Sequence, residues 1–406
     1  MLKKNLEIFY VRGALYNVII LFFAGGLTQT FLLESGIGAQ KVSLYVSVMQ
    51  VAEVLAMVLL SARVERSRNL IRSYSIFHLF LLPMALAMLA VCFFPKMGPE
   101  TSYVLMLAGG FVTYVAIGLV GILEYKLPYR ILDMNEYGSC VAVQSIIIGG
   151  ATLAVSALVS WAVKDRSFFP TIGWFLIPMT LMILICSRMS LKYREVDINS
   201  EMLSEPEKKI NLLTYKPFYL LAVPNFLRGF ATGTFNLFTT VGYHLGLIDT
   251  VTATYMVTIG NVVVFAVGLF YRSAAKLHKD TQILMASGIL MLAAMPLAFL
   301  GGSVKLFLIV YAVAFFFKTI FEYVSPVSIV PILDYAVVGQ YSAWRVALYL
   351  LGIALSGVLT IPMVDTLGVI PTMLINGLFF TLSGVTYYLV VKALLKQKQE
   401  KKENDD

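Results

Sequence analysis

The chain of 406 residues is 59% hydrophobic and only 13% charged, with a mean hydropathy of +0.82. A soluble domain carries roughly 25% charged residues, so no ordinary core could hide this apolar excess and most of the surface must face hydrocarbon. The runs are continuous rather than short and alternating, which excludes a β-barrel and leaves helices.

Apolar runs long enough to span a bilayer, about 20 residues each, predict an all-α membrane protein of twelve transmembrane helices. Six fall at 8–33, 41–61, 70–94, 102–125, 139–163 and 170–190, and six more at 216–243, 251–271, 282–300, 306–325, 342–363 and 370–392. Met1-Leu2-Lys3-Lys4 is a short basic flank before a stretch too long for a cleaved signal, so the first span reads as an uncleaved helix. Pro83, Pro224 and Pro296 lie inside spans, where membrane helices tolerate proline. The cysteines Cys92, Cys140 and Cys186 lie within or beside apolar runs with no disulfide or zinc spacing, and read as packing residues.

Between the sixth and seventh spans lies the one long polar segment, containing Lys192-Tyr193-Arg194-Glu195 and Ser204-Glu205-Pro206-Glu207-Lys208-Lys209. It divides the chain into an amino-terminal six-helix bundle at 1–190, a cytoplasmic linker at 191–215, a carboxy-terminal bundle at 216–395 and a charged tail at 396–406. With the N-terminus inside, the outer loops hold only Lys41, Lys96, Lys164, Arg166 and Lys305, and nearly all the other Lys and Arg are cytoplasmic. That asymmetry places both termini inside the inner (plasma) membrane. The net charge of +8 is therefore topology, and no nucleic-acid partner is expected.

The halves carry matching landmarks. Glu124-Tyr125-Lys126-Leu127-Pro128 followed by Ile131-Leu132-Asp133 parallels Glu322-Tyr323-Val324-Ser325-Pro326 followed by Ile332-Leu333-Asp334. Arg12-Gly13 parallels Arg228-Gly229, and Pro83 parallels Pro296. Four matches in one order and at similar offsets indicate a parallel duplication, a common origin of transporter folds.

Two parallel six-helix halves around a cytoplasmic linker resemble the major facilitator superfamily. The loop after the second span reads Ser61-Ala62-Arg63-Val64-Glu65-Arg66-Ser67-Arg68-Asn69, where the family's Gly-x-x-x-Asp-Arg-x-Gly-Arg-Arg motif stands. Its acidic-then-arginine step survives as Glu65-Arg66, while both glycines are lost. The resemblance implies a conformational latch at Glu65 and Arg66; alternatively the basic residues there only set topology. The fifth span has Gly149-Gly150 but no proline, which departs from the family's drug-proton antiporters, and no branch is identified.

An ionisable group at bilayer depth is costly and commonly faces a cavity or a partner. Glu53 lies about 18 Å from Lys41 and about 15 Å from Arg63 along its helix, near the midplane. It suits a proton carrier, a partner for a cationic solute group, or a structural pair. Lys318 and Glu322 share one face of the tenth span and could neutralise each other or exchange partners, with Arg228 or Arg345 as alternative cations. Arg228, about 18 Å past Lys216, suits recognition of a carboxylate or phosphate, or a pair to a neighbouring helix. Arg12 is placed to snorkel to the inner surface, Glu124 and Arg130 to form a loop salt bridge, and His78 to be a packed, hydrogen-bonded residue.

Neutral polar side chains on the spans that line the family's cavity add Tyr16, Asn17, Gln50, Thr113, Tyr114, Gln144, Asn236, Asn261 and Tyr349. The substrate-binding or coupling candidates are thus Glu53, Gln50, Arg228, Lys318, Glu322, Asn17, Tyr114, Gln144, Asn236, Asn261 and Arg345. No phosphate-cradling glycine loop, metal-ligand spacing or nucleotide domain is visible, and His78, His244 and His278 are far apart. The chain therefore reads as a monomeric secondary active transporter without cofactor, moving a small polar or amphipathic organic solute, with protons as coupling ion and lipid as surroundings. A non-transporting sensor or scaffold, or a lipid flippase of the same fold, is the other reading; a sensor would carry a cytoplasmic domain beyond the short tail from Lys396 to Asp406.

Overall fold

The computed structural model describes residues 2–60, 69–94, 96–133, 137–196, 215–274, 279–329 and 338–405. Its described elements are helices throughout. In chain order they are α1 (Leu2–Phe23), α2 (Gly26–Glu34), α3 (Ala39–Leu55) running into a π-turn (Ala56–Leu60), α4 (Leu70–Leu79), α5 (Leu82–Phe93), α6 (Pro99–Ile131), α7 (Tyr137–Lys164) and α8 (Phe168–Ser190). Then come α9 (Lys216–Asn236), α10 (Phe238–His244), α11 (Thr250–Ala274), α12 (Asp280–Leu300), α13 (Val304–Ile329), α14 (Val338–Leu367) and α15 (Val369–Asp405).

Three predicted spans are each two helices. The first is α1 and α2, parted at Ala24-Gly25, where Gly25 has φ of 84°, a backbone state that suits glycine. The third breaks between α4 and α5 because Pro83, at the start of α5, cannot continue the hydrogen-bond ladder. The Thr113 hydroxyl of α6 donates to the Phe80 carbonyl at that break, 3.3 Å away. A neighbouring helix thus satisfies backbone that proline has freed. The seventh breaks at Leu237 into α9 and α10. The stretch expected as a charged tail from 396 continues α15 as helix to Asp405.

Eleven stretches of the described chain are long and apolar enough to cross a membrane, so this is a multi-pass membrane protein. The α9 helix is not one of the eleven; its Asn225, Arg228 and Asn236 lower its apolarity.

The chain forms two compact units, one of Met1–Pro206 with Gly242–Phe265, the other of Glu207–Val241 with Ala266–Asp406. In the first unit α1 packs on α7 and α8, α3 on α6, and the α4–α5 pair on α6 and α8. The segment Gly242–Phe265 is seated there by polar contacts: the Tyr243 hydroxyl donates to Glu34 at 3.0 Å, Thr250 also donates to Glu34, and Ser160 of α7 donates to the Thr254 carbonyl at 3.0 Å.

In the second unit α12 packs on α13 and α15, and α9 on α14 and α15. Glycine sets the closest approach: a side chain at Gly229 would drive into the Tyr349 carbonyl, and one at Gly352 into the Phe226 carbonyl. Membrane helices have little hydrophobic drive to associate, so small residues that bring backbones together are a principal source of packing energy. Buried hydroxyls and amides add to it, as where Thr234 donates to Asn376 at 2.8 Å and Ser383 to the Pro224 carbonyl at 2.8 Å.

Two buried charge clusters as the candidate functional site

The glycine contact between α9 and α14 places Arg228 beside Tyr349. Arg228 is 4% exposed, its guanidinium lies 4.4 Å from the centre of the Tyr349 ring, and it donates to the Ser325 hydroxyl of α13. No carboxylate pairs with it among the described residues, and its Nε has no hydrogen-bond partner. The Tyr349 hydroxyl donates to Glu322 at 2.7 Å, and Lys318 reaches the other Glu322 oxygen at 3.1 Å, as the i,i+4 spacing leads one to expect. Arg345, one turn before Tyr349, is buried and has no ion-pair partner among the described residues. Lys318 thus pairs with Glu322, Tyr349 links Glu322 to Arg228, and these two cations with the buried Arg345 outnumber the one carboxylate. The excess positive charge favours a ligand that brings an acidic group, and a planar guanidinium with free donors suits it. Asn225, one turn before Arg228, accepts from Tyr387 at 2.5 Å and gives its amide to the Leu221 carbonyl at 2.8 Å.

In the first unit the structure corrects two expectations. Arg12 does not snorkel: it is 2% exposed and pairs with Glu124 at 3.1 Å. Glu124 thus holds a helix arginine rather than a loop residue, whereas Arg130 does form a loop salt bridge, to Glu195 at 3.0 Å. A cation this deep has too little solvent within reach, so it takes the nearest carboxylate. The Tyr74 hydroxyl donates to the same Glu124 oxygen at 3.0 Å, and the Tyr74 ring lies 4.9 Å from the guanidinium. His78 is fully buried, 2.7 Å from the Tyr74 carbonyl through Nδ1, which bears out its reading as a packed residue.

Arg12, Tyr74 and Glu124 line a cavity of about 190 Å³ together with Asn17, Gln144 and Tyr193. Two candidates from the sequence thus meet there, each already holding a carbonyl: Asn17 donates to Gly13 at 2.9 Å and Gln144 to Phe9 at 3.1 Å. Tyr193, in the first residues of the polar linker, forms part of the cavity wall. Asn5, 1% exposed, clamps that segment by donating to the Ile131 and Arg194 carbonyls at 2.8 and 2.7 Å and accepting from the Arg194 amide at 3.1 Å. The Val196 amide adds a bond to the Arg130 carbonyl at 2.8 Å. Tyr193 is buried by this clamp, and burial raises its phenol above the usual tyrosine range, with Arg12 pulling the other way. The rest of the linker, 197–214, lies outside the described residues.

The other candidates sit apart from both clusters. Glu53 is half-buried on α3, packed against Gly118 of α6, close enough to Tyr114 and Tyr16 to interact electrostatically, and without a hydrogen bond or ion pair among the described residues. Gln50 is half-buried one turn before it. Asn261 donates to Ser156 at 3.2 Å and to the Val257 carbonyl at 3.0 Å, a helix-to-helix bond within the first unit. Asn236 ends α9, half-buried. The latch candidates Glu65 and Arg66 lie outside the described residues. Sequence reasoning missed Tyr74, Tyr193, Asn5 and Ser325. Ser325 could have been found from its i,i+3 place beside Glu322, whereas Tyr193 sits in a polar segment that looks like plain linker.

No protein-family model matches the chain, and no curated protein matches it in sequence. Solved structures do match. A D-xylose–proton symporter is 14% identical with a TM-score of 0.70, over 95% of this chain and 96% of that one. A nucleoside transporter is 15% identical with a TM-score of 0.66, over 97% and 100%. The E. coli fucose–proton symporter is 13% identical with a TM-score of 0.60, over 97% and 98%. At such identities the likeness concerns the fold, and it is end to end: the chain has the major facilitator fold.

Proposed function

We propose that the protein is a secondary active transporter that moves a small polar or amphipathic organic solute across the inner (plasma) membrane by alternating access. The observation that carries this reading is the Arg228–Tyr349–Glu322–Lys318 cluster, an incompletely paired set of buried charges in a multi-pass chain. Such charges are expensive to keep in a membrane unless they do work on a solute or an ion. The fold supports it, since structures that share it carry the names of sugar–proton symporters and a nucleoside transporter. The domain division at 1–190 and 216–395, with both termini cytoplasmic, belongs to the same reading, as does a monomer surrounded by lipid. Arg228 is the solute-recognising cation, and Glu322 with Lys318 tunes its charge.

Proton coupling is assigned to Glu53, whose carboxyl has no partner among the described residues to hold it ionised; Glu322, with its cationic partners, is the second candidate. Two experiments test the reading. Solutes that bind the folded protein raise its melting temperature by mass action; a screen in which acidic solutes fail and Arg228→Gln changes no hit would remove Arg228 from the site. For coupling, Glu53→Gln should lower uphill accumulation while sparing exchange between equilibrated compartments. Full accumulation by that variant under a pH gradient would show that Glu53 is not the carrier.

A further inference from the structure

The cavity of the first unit holds more unused bonding capacity than its Arg12–Glu124 pair needs. Arg12 binds Glu124 through one terminal nitrogen, and its Nε, buried, has no hydrogen-bond partner. The Tyr193 hydroxyl faces the same guanidinium, is buried, and also lacks a partner of ordinary hydrogen-bond geometry. A buried polar atom without a partner is uncommon in a folded protein and asks for an explanation. Arg12 and Tyr193 both line the cavity, so two donors without a partner belong to its wall. The same lining includes Glu124, whose side chain is 40% exposed and whose described bonds both go to one oxygen. The lining therefore offers two unpartnered donors and a carboxylate, with charges that sum to zero.

We propose that this cavity is a binding site for a small zwitterion of amino-acid type, and that Tyr193 is one of its binding residues. The ligand carboxylate accepts from Arg12 Nε and the Tyr193 hydroxyl, and the ligand ammonium donates to Glu124. An anion would leave Glu124 facing like charge, and a cation would leave the two donors unused, so the zwitterion is the species that satisfies both ends. The volume, about 190 Å³, corresponds to roughly six waters at the density of the liquid and suits a compact solute. Tyr193 is held for this task by a strap rather than by a membrane helix. Asn5 fixes the strap at Arg194, and the Arg130–Glu195 pair and the Val196 amide fix it on the far side. The site stands wholly within the first unit, so it is independent of the Arg228 cluster and of the transport reading.

The test uses the purified full-length chain and three probes of one size: serine, lactate without the ammonium, and serinamide without the carboxylate. Serine should raise the melting temperature in a saturable way, and lactate and serinamide should not at equal concentration. Tyr193→Phe removes one donor and keeps the ring; it should fold with an unchanged melting temperature without ligand and weaken serine binding about tenfold or more, the scale for losing a hydrogen bond to a charged group. Arg12→Lys, which loses Nε, should weaken it as well. No shift with serine means that the cavity holds water only, and equal shifts with all three probes mean that the response is not zwitterion recognition. Either result overturns the proposal, and unaltered serine binding by Tyr193→Phe overturns the role of the strap. Loss of transport with serine binding intact would count against the transport reading alone.

Discussion

Arg12 and Glu124 meet directly at 3.1 Å, whereas Arg228 and Glu322, which stand in the matching sequence motifs, each turn to other partners. The difference lies in Tyr349. Its ring takes the guanidinium and its hydroxyl takes the carboxylate, so one tyrosine stands where a direct ion pair forms in the first unit. The same pair of residue types is thus in direct contact in one unit and separated by a tyrosine in the other.

The Arg12–Glu124 pair is unequal in burial, and that predicts an order of damage. Removing one partner of a buried pair leaves an uncompensated charge. Glu124→Gln strands Arg12, which is 2% exposed, and should lower stability by about 1–3 kcal/mol, a figure already reduced for the half-exposed carboxylate. Arg12→Met keeps much of the stem's packing and leaves Glu124 able to hydrate from the cavity, so it should cost less. Thermal unfolding of both variants checks this. A larger loss for Arg12→Met would mean that the arginine is hydrated in solution.

Tyr349→Phe separates the two jobs of that residue. The ring remains beside Arg228, while Glu322 keeps only Lys318 of its two described partners. The expected loss is about 1 kcal/mol, the net worth of one hydrogen bond. Solute affinity at the Arg228 cluster should change more than that stability, measured by titration with whichever acidic solute the melting screen returns.

The glycine contact between α9 and α14 makes a packing prediction. Gly352→Ala puts a methyl group against the α9 backbone at Phe226 and Phe230, where no flexible side chain can yield. Overpacking of this kind costs about 1–3 kcal/mol. Gly268→Ala, on α11 with open space beside it, should be neutral or slightly stabilising. Unfolding midpoints in one detergent compare the two, and equal midpoints would refute the close approach.

Asp249 supplies a pH dependence. It accepts from the Thr252 amide at 2.8 Å and the Thr252 hydroxyl at 2.6 Å at the start of α11, and these bonds hold its carboxyl below the usual aspartate range. A depressed folded-state value stabilises above the unfolded value, and that contribution fades as pH falls through the folded one. Wild type should therefore exceed Asp249→Asn in stability at neutral pH, and the gap should close in acid below the ordinary aspartate range. The group is largely exposed, so the gap is small and salt-sensitive. A gap that persists unchanged at low pH would assign it to something other than the carboxylate charge.

Composition and the spacing of apolar runs were enough to determine that this chain is a bundle of membrane helices, because hydrocarbon admits little else. Proline was legible as tolerated within spans, but the breaks at Gly25 and Pro83 came from the structure, while the Arg-Gly and Glu-Tyr repeats marked out Arg12, Glu124, Arg228 and Glu322. The i,i+4 contact of Lys318 with Glu322 was legible because helix periodicity alone decides it. Nothing in the local sequence could choose between Arg130 and Arg12 as the partner of Glu124, since that depends on which of two cations the packing of α1 against its neighbours leaves without water. Tyr193 and Asn5 were hidden for the same reason: a clamp between residues 189 positions apart has no periodic signature. Sequence by itself determined the solvent, the helices and the inventory of charges; the tertiary structure decided which charges are paired, because pairing in a membrane follows distance and desolvation rather than order along the chain.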